Sequence, residues 1–136
     1  MSPQINHIFY TDDDPDDHDF FSMALNEVKP GAKLHQFYSC SQTLDYLKDE
    51  NNPFPDVIFL DQNIHGNSKN ECLQEIRKIA RLEKIPVIIY TTGGKPELVA
   101  QALELGAYKY ILKPTRLNDI KEDLSSIISE CENLNS

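Results

Sequence analysis

The sequence predicts an α/β fold in which a parallel five-stranded sheet is covered by helices on both faces. Three observations carry this. Short apolar runs alternate with helical patterns five times along the 136 residues. Most of the runs are continuous rather than alternating and are rich in Ile, Val, Phe and Tyr, the signature of strands buried on both sides. Each run is followed by a helix, and a strand–helix–strand order builds parallel sheets.

The predicted strands are His7–Tyr10, Leu34–Tyr38, Val57–Leu60, Val87–Tyr90 and Tyr110–Leu112, the second being the weakest and reading as an edge strand. After the first, Phe20, Phe21, Ala24, Leu25 and Val28 recur with helical spacing. Asp14 is placed to cap that helix, with Pro15 at its first position, where a missing N–H is harmless. Lys29-Pro30-Gly31 stops it. Ser41 is the expected cap of a short second helix with Leu44 and Leu47 inward. Cys72, Leu73, Ile76, Ile79 and Ala80 form the stripe of a third. Pro96 opens a fourth, burying Leu98, Ala102 and Leu105 and ending at Gly106. Leu117, Ile120, Leu124, Ile127, Ile128 and Cys131 line one face of the last.

Composition narrows the function. The chain is long enough for one domain, expected to span residues 1–136 with its core over about 6–132. No apolar run reaches the length of a membrane span, and the N-terminus has no basic stretch leading into an apolar core. Twenty-two acidic against 13 basic residues leave a net charge of -9. That argues against nucleic acid as a partner, because phosphate backbones demand a basic surface. The three cysteines, Cys40, Cys72 and Cys131, have neither metal-ligand spacing nor a disulfide framework. They are expected to be small apolar residues of a reduced, cytoplasmic protein.

In a doubly wound sheet, ligands sit beyond the C-terminal ends of the strands. Here the first strand runs into Asp12-Asp13-Asp14, the third into Asp61, the fourth into Thr91-Thr92 and the fifth into Lys113-Pro114. Converging carboxylates repel one another unless a cation sits among them, and hard oxygen ligands suit Mg²⁺ (or Mn²⁺). Beside such a cation a carboxylate can attack phosphorus to form an aspartyl phosphate. A Lys ammonium and a Thr hydroxyl can hold the phosphoryl oxygens. Taken singly, each feature has an ordinary reading. Acidic residues favour helix starts, the role assigned here to Asp16 and Asp17. Asp61 alone reads as a turn residue, Thr91 as a cap and Lys113 as a surface charge. The joint order is what is specific.

That order, carried by IFYTDDDPDD, PDVIFLDQNIHG, IPVIIYTTGG and LGAYKYILKPT, resembles the receiver domains of bacterial two-component response regulators, from about His7 to Cys131. The resemblance implies a flavodoxin-like sheet of strand order 2-1-3-4-5. It implies that Asp61 is the phosphoacceptor, with Lys113 and Thr91 completing the catalytic set. The implied metal ligands are Asp12, Asp13, Asp61 and the backbone carbonyl of Asn63, with Asp13 binding directly and Asp12 partly through water. Thr91 and Tyr110 would form the switch pair, and a cis peptide between Lys113 and Pro114 would aim the lysine. Two positions depart from the family: His65 stands where Pro is usual and Lys69 where Gly is frequent, so the loop from Gln62 to Asn70 is more polar.

Three other readings compete with this one. A degenerate, unphosphorylated binding module fits poorly with an intact acceptor, lysine and acidic pair. An aspartyl-nucleophile phosphatase would need a second carboxylate at position 63, where Asn63 stands. A flavin carrier would need hydroxyls, not carboxylates, after the first strand. The chain ends soon after the last helix, so no output domain is expected and the signal would leave by contact. The resemblance implies a sensor histidine kinase or phosphotransfer protein docking on the first helix. It also implies a downstream protein target, or a second copy in a homodimer, on the face made by helix 4, strand 5 and helix 5. Stand-alone receivers paired with phytochrome-type kinases are similar in length and in their acidic start.

Overall fold

The computed structural model describes residues 4–64, 70–93 and 95–134. Five strands, β1 (His7–Thr11), β2 (Lys33–Phe37), β3 (Val57–Leu60), β4 (Val87–Thr91) and β5 (Lys109–Leu112), pair in parallel in the order β2-β1-β3-β4-β5. Five helices follow them in turn: α1 (Pro15–Val28), α2 (Cys40–Lys48), α3 (Glu71–Arg77), α4 (Pro96–Glu104) and α5 (Leu117–Leu134). Winding reverses between β1 and β3, and that reversal leaves a crevice at the strands' C-terminal ends.

The continuous apolar runs are explained by two cores. Every residue of β3 and β4 is buried. On one face Ile8, Tyr10, Val57, Phe59, Ile88 and Tyr90 pack against α1 and α5. On the other Phe9, Ile58, Leu60, Val87 and Ile89 pack against α2, α3 and α4. Tyr10 and Phe21 stack with ring centroids 4.2 Å apart, and Phe59 meets Phe21 edge-on at 5.0 Å. Such aromatic contacts add about 0.5–1.5 kcal/mol each beyond area burial.

Local signals set most helix ends. Asp14 caps α1, its side chain accepting from the Asp16 N–H, with Pro15 next. At the end of α4, Gly106 has φ 104°, and a Cβ there would lie 3.0 Å from Arg77 Nε. Glycine therefore meets both a backbone and a packing requirement.

Several expectations are corrected. Ser39, not Ser41, caps α2: its hydroxyl accepts from Gln42 N–H, and the Gln42 side chain reaches back to the Tyr38 N–H. Phe20 is exposed rather than in the core, because the buried stripe of α1 runs through His18, Phe21, Ala24 and Leu25. Helix α3 stops at Arg77, and a 3₁₀ turn over Ala80–Leu82 follows, so Leu82 is buried and Ala80 is not. The Arg77 guanidinium holds this turn by donating to the carbonyls of Leu82, Ile85 and Gly106. Cys40 and Cys72 form a disulfide with Cα atoms 5.8 Å apart, contrary to the reading of reduced thiols. The two stand at the starts of α2 and α3 on one side of the sheet, a proximity that a separation of 32 residues conceals. Cys131 is a buried free thiol as expected, its pKa pushed up by burial to about 11. Among the described residues no helix is long and apolar enough to cross a membrane.

The two neighbouring phenylalanines of α1 should behave oppositely. Phe21→Ala is expected to cost about 3–5 kcal/mol of stability. Phe20→Ala should cost about 0.5 kcal/mol or less. Urea unfolding of both variants measures the difference, and equal losses would contradict the assigned core face.

Candidate functional site

The strand ends bring the sequence candidates together. Asp61 follows β3 at once, with its N–H bonded to the Thr11 carbonyl at 3.0 Å, and its side chain is almost wholly buried. Asp12 follows β1 and is tied to β2, its N–H donating to the Phe37 carbonyl at 3.0 Å. Thr91 closes β4 and is fully buried. Lys113 follows β5 and hydrogen-bonds through its N–H to the Thr91 carbonyl at 2.8 Å.

Around Asp61 the hydrogen bonds divide between its two oxygens. Oδ1 accepts from Thr91 Oγ1 at 2.7 Å and from the Asn63 N–H at 2.9 Å. Oδ2 accepts from Lys113 Nζ at 2.8 Å. The Thr91 hydroxyl is held from its other side by Asn63 Nδ2 at 2.8 Å. Asn63 therefore enters the site through its backbone N–H and its side chain, a contribution the sequence did not reveal.

Lys113 is the hub. Its ammonium, with only 7% of the side chain exposed, contacts Asp12 Oδ2 at 2.5 Å, Asp17 Oδ2 at 2.8 Å and Asp61 Oδ2 at 2.8 Å. Burial alone would lower its pKa, but hydrogen bonds to Asp12, Asp17 and Asp61 outweigh this and raise it above the usual 10.5. Asp17 is the residue whose assignment changes. Read from the sequence as a solvated helix-start charge, it turns from the first turn of α1 toward Lys113. The available signal was its spacing: Asp14 as cap puts Asp17 one turn on, over the same strand end. Asp16 remains exposed.

Two further residues brace Asp12. The buried Tyr10 hydroxyl donates to Asp12 Oδ2 at 2.6 Å, and burial, followed by the Asp12 charge, raises the phenol's pKa. His18 Nε2 lies 2.7 Å from the Asp12 carbonyl and 3.0 Å from the Phe37 carbonyl. Both partners are acceptors, so that nitrogen carries the proton. Neither residue was singled out from the sequence, because core aromatics and helix-face histidines usually have only packing roles.

Asp12, Asp13 and Asp61 each offer a carboxylate oxygen, all within 4.8 Å of one another, with Asp12 and Asp61 buried and Asp13 exposed. Three hard oxygen donors of this kind suit a divalent cation such as Mg²⁺ or Mn²⁺. Tyr110 is half-buried beside the site, its hydroxyl donating to Gln62 Oε1 at 3.4 Å, and its pKa is raised by burial and then by Asp61. Tyr108 points to the other face and bonds Glu130 Oε1 at 2.6 Å. The expected cis bond is not found: no cis peptide occurs among the described residues, and Lys113–Pro114 is trans. Lysine has enough reach to meet all three carboxylates from the trans form, the cheaper isomer. His65 and Lys69 lie outside the described residues.

Between α1 and the β5–α5 connection lies a cleft of about 360 Å³, lined by Phe20, Met23, Tyr90, Pro114, Leu117 and Ile120 and reaching Asp17 and Lys113. Phe20 and Met23 are half exposed at its rim.

Comparison with known proteins agrees with this geometry. The family model described as response regulator receiver domain matches residues 8–125. A two-component response regulator of Oryza sativa subsp. japonica, ORR13, is 30% identical over 121 residues, covering 89% of this chain and 97% of that protein. Sporulation initiation phosphotransferase F of Bacillus subtilis (strain 168) is 33% identical over 109 residues, covering 79% of this chain and 84% of that protein. The Mn²⁺-bound form of response regulator Rcp1 is a similar solved structure, with TM-score 0.80, 26% identity, and coverage of 91% and 92% of the two chains.

Removing the hub should expose the repulsion it offsets. Lys113→Met is expected to lose about 3–5 kcal/mol at pH 7, the range for breaking a buried ion pair from one side. In wild type the raised lysine pKa means this stabilisation is complete below pH 10.5 and is lost only as pH rises through the folded-state value. Urea unfolding of both proteins at pH 7 and at pH values above 10.5 follows the difference.

Proposed function

Because the chain belongs to the response regulator receiver family, we propose that it is a phosphorylation-driven signalling switch whose acceptor is Asp61. One observation carries this reading: a buried lysine ammonium and a buried threonine hydroxyl converge on the two oxygens of one strand-end carboxylate. Asp61 acts as nucleophile. Its oxygen bonds to phosphorus as the bond between phosphorus and the donor's histidine nitrogen breaks, and the donor keeps that electron pair. Lys113 then holds a phosphoryl oxygen, and Thr91 exchanges its bond to Asp61 for one to the phosphoryl group. Asp12, Asp13, Asp61 and the Asn63 backbone carbonyl are the residues that would hold Mg²⁺ or Mn²⁺. A divalent metal there supplies neutralisation of the charge on the incoming phosphoryl group. The chain catalyses only its own phosphorylation and dephosphorylation.

The donor is a sensor histidine kinase or a phosphotransfer protein. Its docking surface is α1 with the adjoining cleft, where exposed Phe20 and Met23 offer apolar anchors leading toward Lys113. The output surface is the α4–β5–α5 face, where Leu103 and Leu112 stand exposed for a downstream protein target or a second copy of the chain. Thr91 and Tyr110 form the switch pair. A new hydrogen bond to a charged phosphoryl oxygen contributes about 1.5–3 kcal/mol, enough to shift a two-state equilibrium roughly tenfold or more.

Acetyl phosphate with Mg²⁺ should add one phosphoryl mass to wild type and none to Asp61→Asn; equal labelling of the variant would overturn the acceptor assignment. Thr91→Ala should still be labelled but bind partner less responsively. Metal binding separates the acidic residues. Asp13→Asn should weaken Mg²⁺ binding by tenfold or more, about 1.4 kcal/mol, while Asp16→Asn leaves it unchanged. Titration followed by tyrosine fluorescence decides, and equal losses would mean a diffuse acidic surface instead of a site.

A further inference from the structure

The residue after the acceptor, Gln62, is buried with 1% exposure, and Asn70 is fully buried. A polar side chain at either position is costly unless its atoms are paired. Both amides are fully paired, and with each other. Gln62 Nε2 donates to Asn70 Oδ1 at 2.7 Å and to the Leu98 carbonyl at 3.5 Å. Asn70 Nδ2 donates to the same Leu98 carbonyl at 3.2 Å and to Gln101 Oε1 at 3.0 Å. Gln62 Oε1 accepts from the Tyr110 hydroxyl at 3.4 Å. The partners fix both amide orientations, so the chain runs in one direction: Tyr110 to Gln62 to Asn70 to two residues of α4.

Asn70 is also held at φ 62° immediately before α3, a left-handed conformation that asparagine tolerates better than most residues. The network therefore joins the residue beside the acceptor, the start of α3, the inner side of α4 and the aromatic of β5. The link to Tyr110, at 3.4 Å, is long for a hydroxyl hydrogen bond, and a moving phenol would readily disconnect there.

Resting on the phosphoacceptor reading above, we propose that Gln62 and Asn70 are positioning residues. Their amide pair clamps α4 in one arrangement, and it re-forms differently when Asp61 is phosphorylated and Tyr110 moves. The pair acts on α4 and takes no part in phosphoryl chemistry. Both members hold the Leu98 carbonyl of α4, while Gln62 alone meets Tyr110 of β5, and a pair with every hydrogen bond engaged has discrete arrangements instead of a continuum.

The test uses the full chain with and without beryllium fluoride and Mg²⁺, reading amide hydrogen exchange across Pro96–Glu104. Acetyl phosphate labelling is read by mass in parallel. Asn70→Gly keeps the left-handed backbone while deleting the amide, and Gln62→Met keeps the volume. Gln101→Ala, which removes one exposed α4 partner of Asn70 and leaves the buried pair in place, serves if either variant unfolds. Wild type should change its α4 exchange on binding the phosphate mimic. The variants should label within twofold of wild type, while their α4 response falls about fivefold or more, within the range expected for coupling residues. An undiminished α4 response in the variants overturns the proposal. So does a matching loss of labelling, which would put the amides in the reaction itself. Failure of wild type to label at all would instead overturn the phosphoacceptor reading on which this one rests.

Discussion

The structure of the site depends on one ammonium group. Asp12, Asp17 and Asp61 approach a single point from two strand ends and a helix, and in a low-dielectric crevice their mutual repulsion would be severe. Lys113 Nζ within 2.8 Å of an oxygen of each offsets it. Lys113 is itself anchored by its N–H to the Thr91 carbonyl, so the cation is positioned by the sheet and not by its flexible side chain alone. A buried ionic cluster of this kind adds little net stability over an apolar core. Its presence is better explained by function: the same charges that strain the fold are those a phosphoryl group and a divalent cation would meet.

The sheet makes that arrangement possible. Strands β1 and β3 are adjacent although α1, β2 and α2 separate them in sequence, and this reversal opens the crevice into which Asp12 and Asp61 project. The neighbouring strand ends then contribute Thr91 and Lys113 at nearly fixed spacing, since adjacent parallel strands lie about 4.8 Å apart. Tyr10, His18 and the Thr11–Thr43 hydroxyl pair at 2.7 Å stiffen the β1 end by satisfying its polar groups internally. The proposed switch needs fixed geometry for its chemistry and a second accessible state for its signalling.

The apolar cleft beside α1 opens toward Lys113, so a molecule seated there would face the crevice that holds Asp61. The exposed leucines of α4 and β5, Leu103 and Leu112, lie toward the edge of the sheet away from β2. The cleft and the exposed leucines thus meet along the β5–α5 segment, with Leu112 directly before the cleft residues Lys113 and Pro114.

What the sequence determined by itself was whatever is written locally. Continuous apolar runs gave away buried strands, Asp14-Pro15 a helix start, and the residues after each strand the carboxylates, hydroxyl and lysine that meet in the crevice. These signals survive because strand and helix periodicity, capping and strand-end position are properties of a few consecutive residues. Tertiary structure alone decided the rest. Asp17 joined the site because Lys113, ninety-six positions away at the end of β5, reaches across to the first turn of α1. Cys40 met Cys72, and Asn70 met Gln101, because helices on one face of the sheet pack side by side. Phe20 lost its place in the core because the rotation of α1 about its axis is set by the sheet beneath it. Asn63 took hold of Thr91, and Lys113 reached its carboxylates from a trans peptide, for the same physical reason: a side chain's partners are chosen by what folding brings within about 3 Å, the range of a hydrogen bond, and no local pattern encodes that distance.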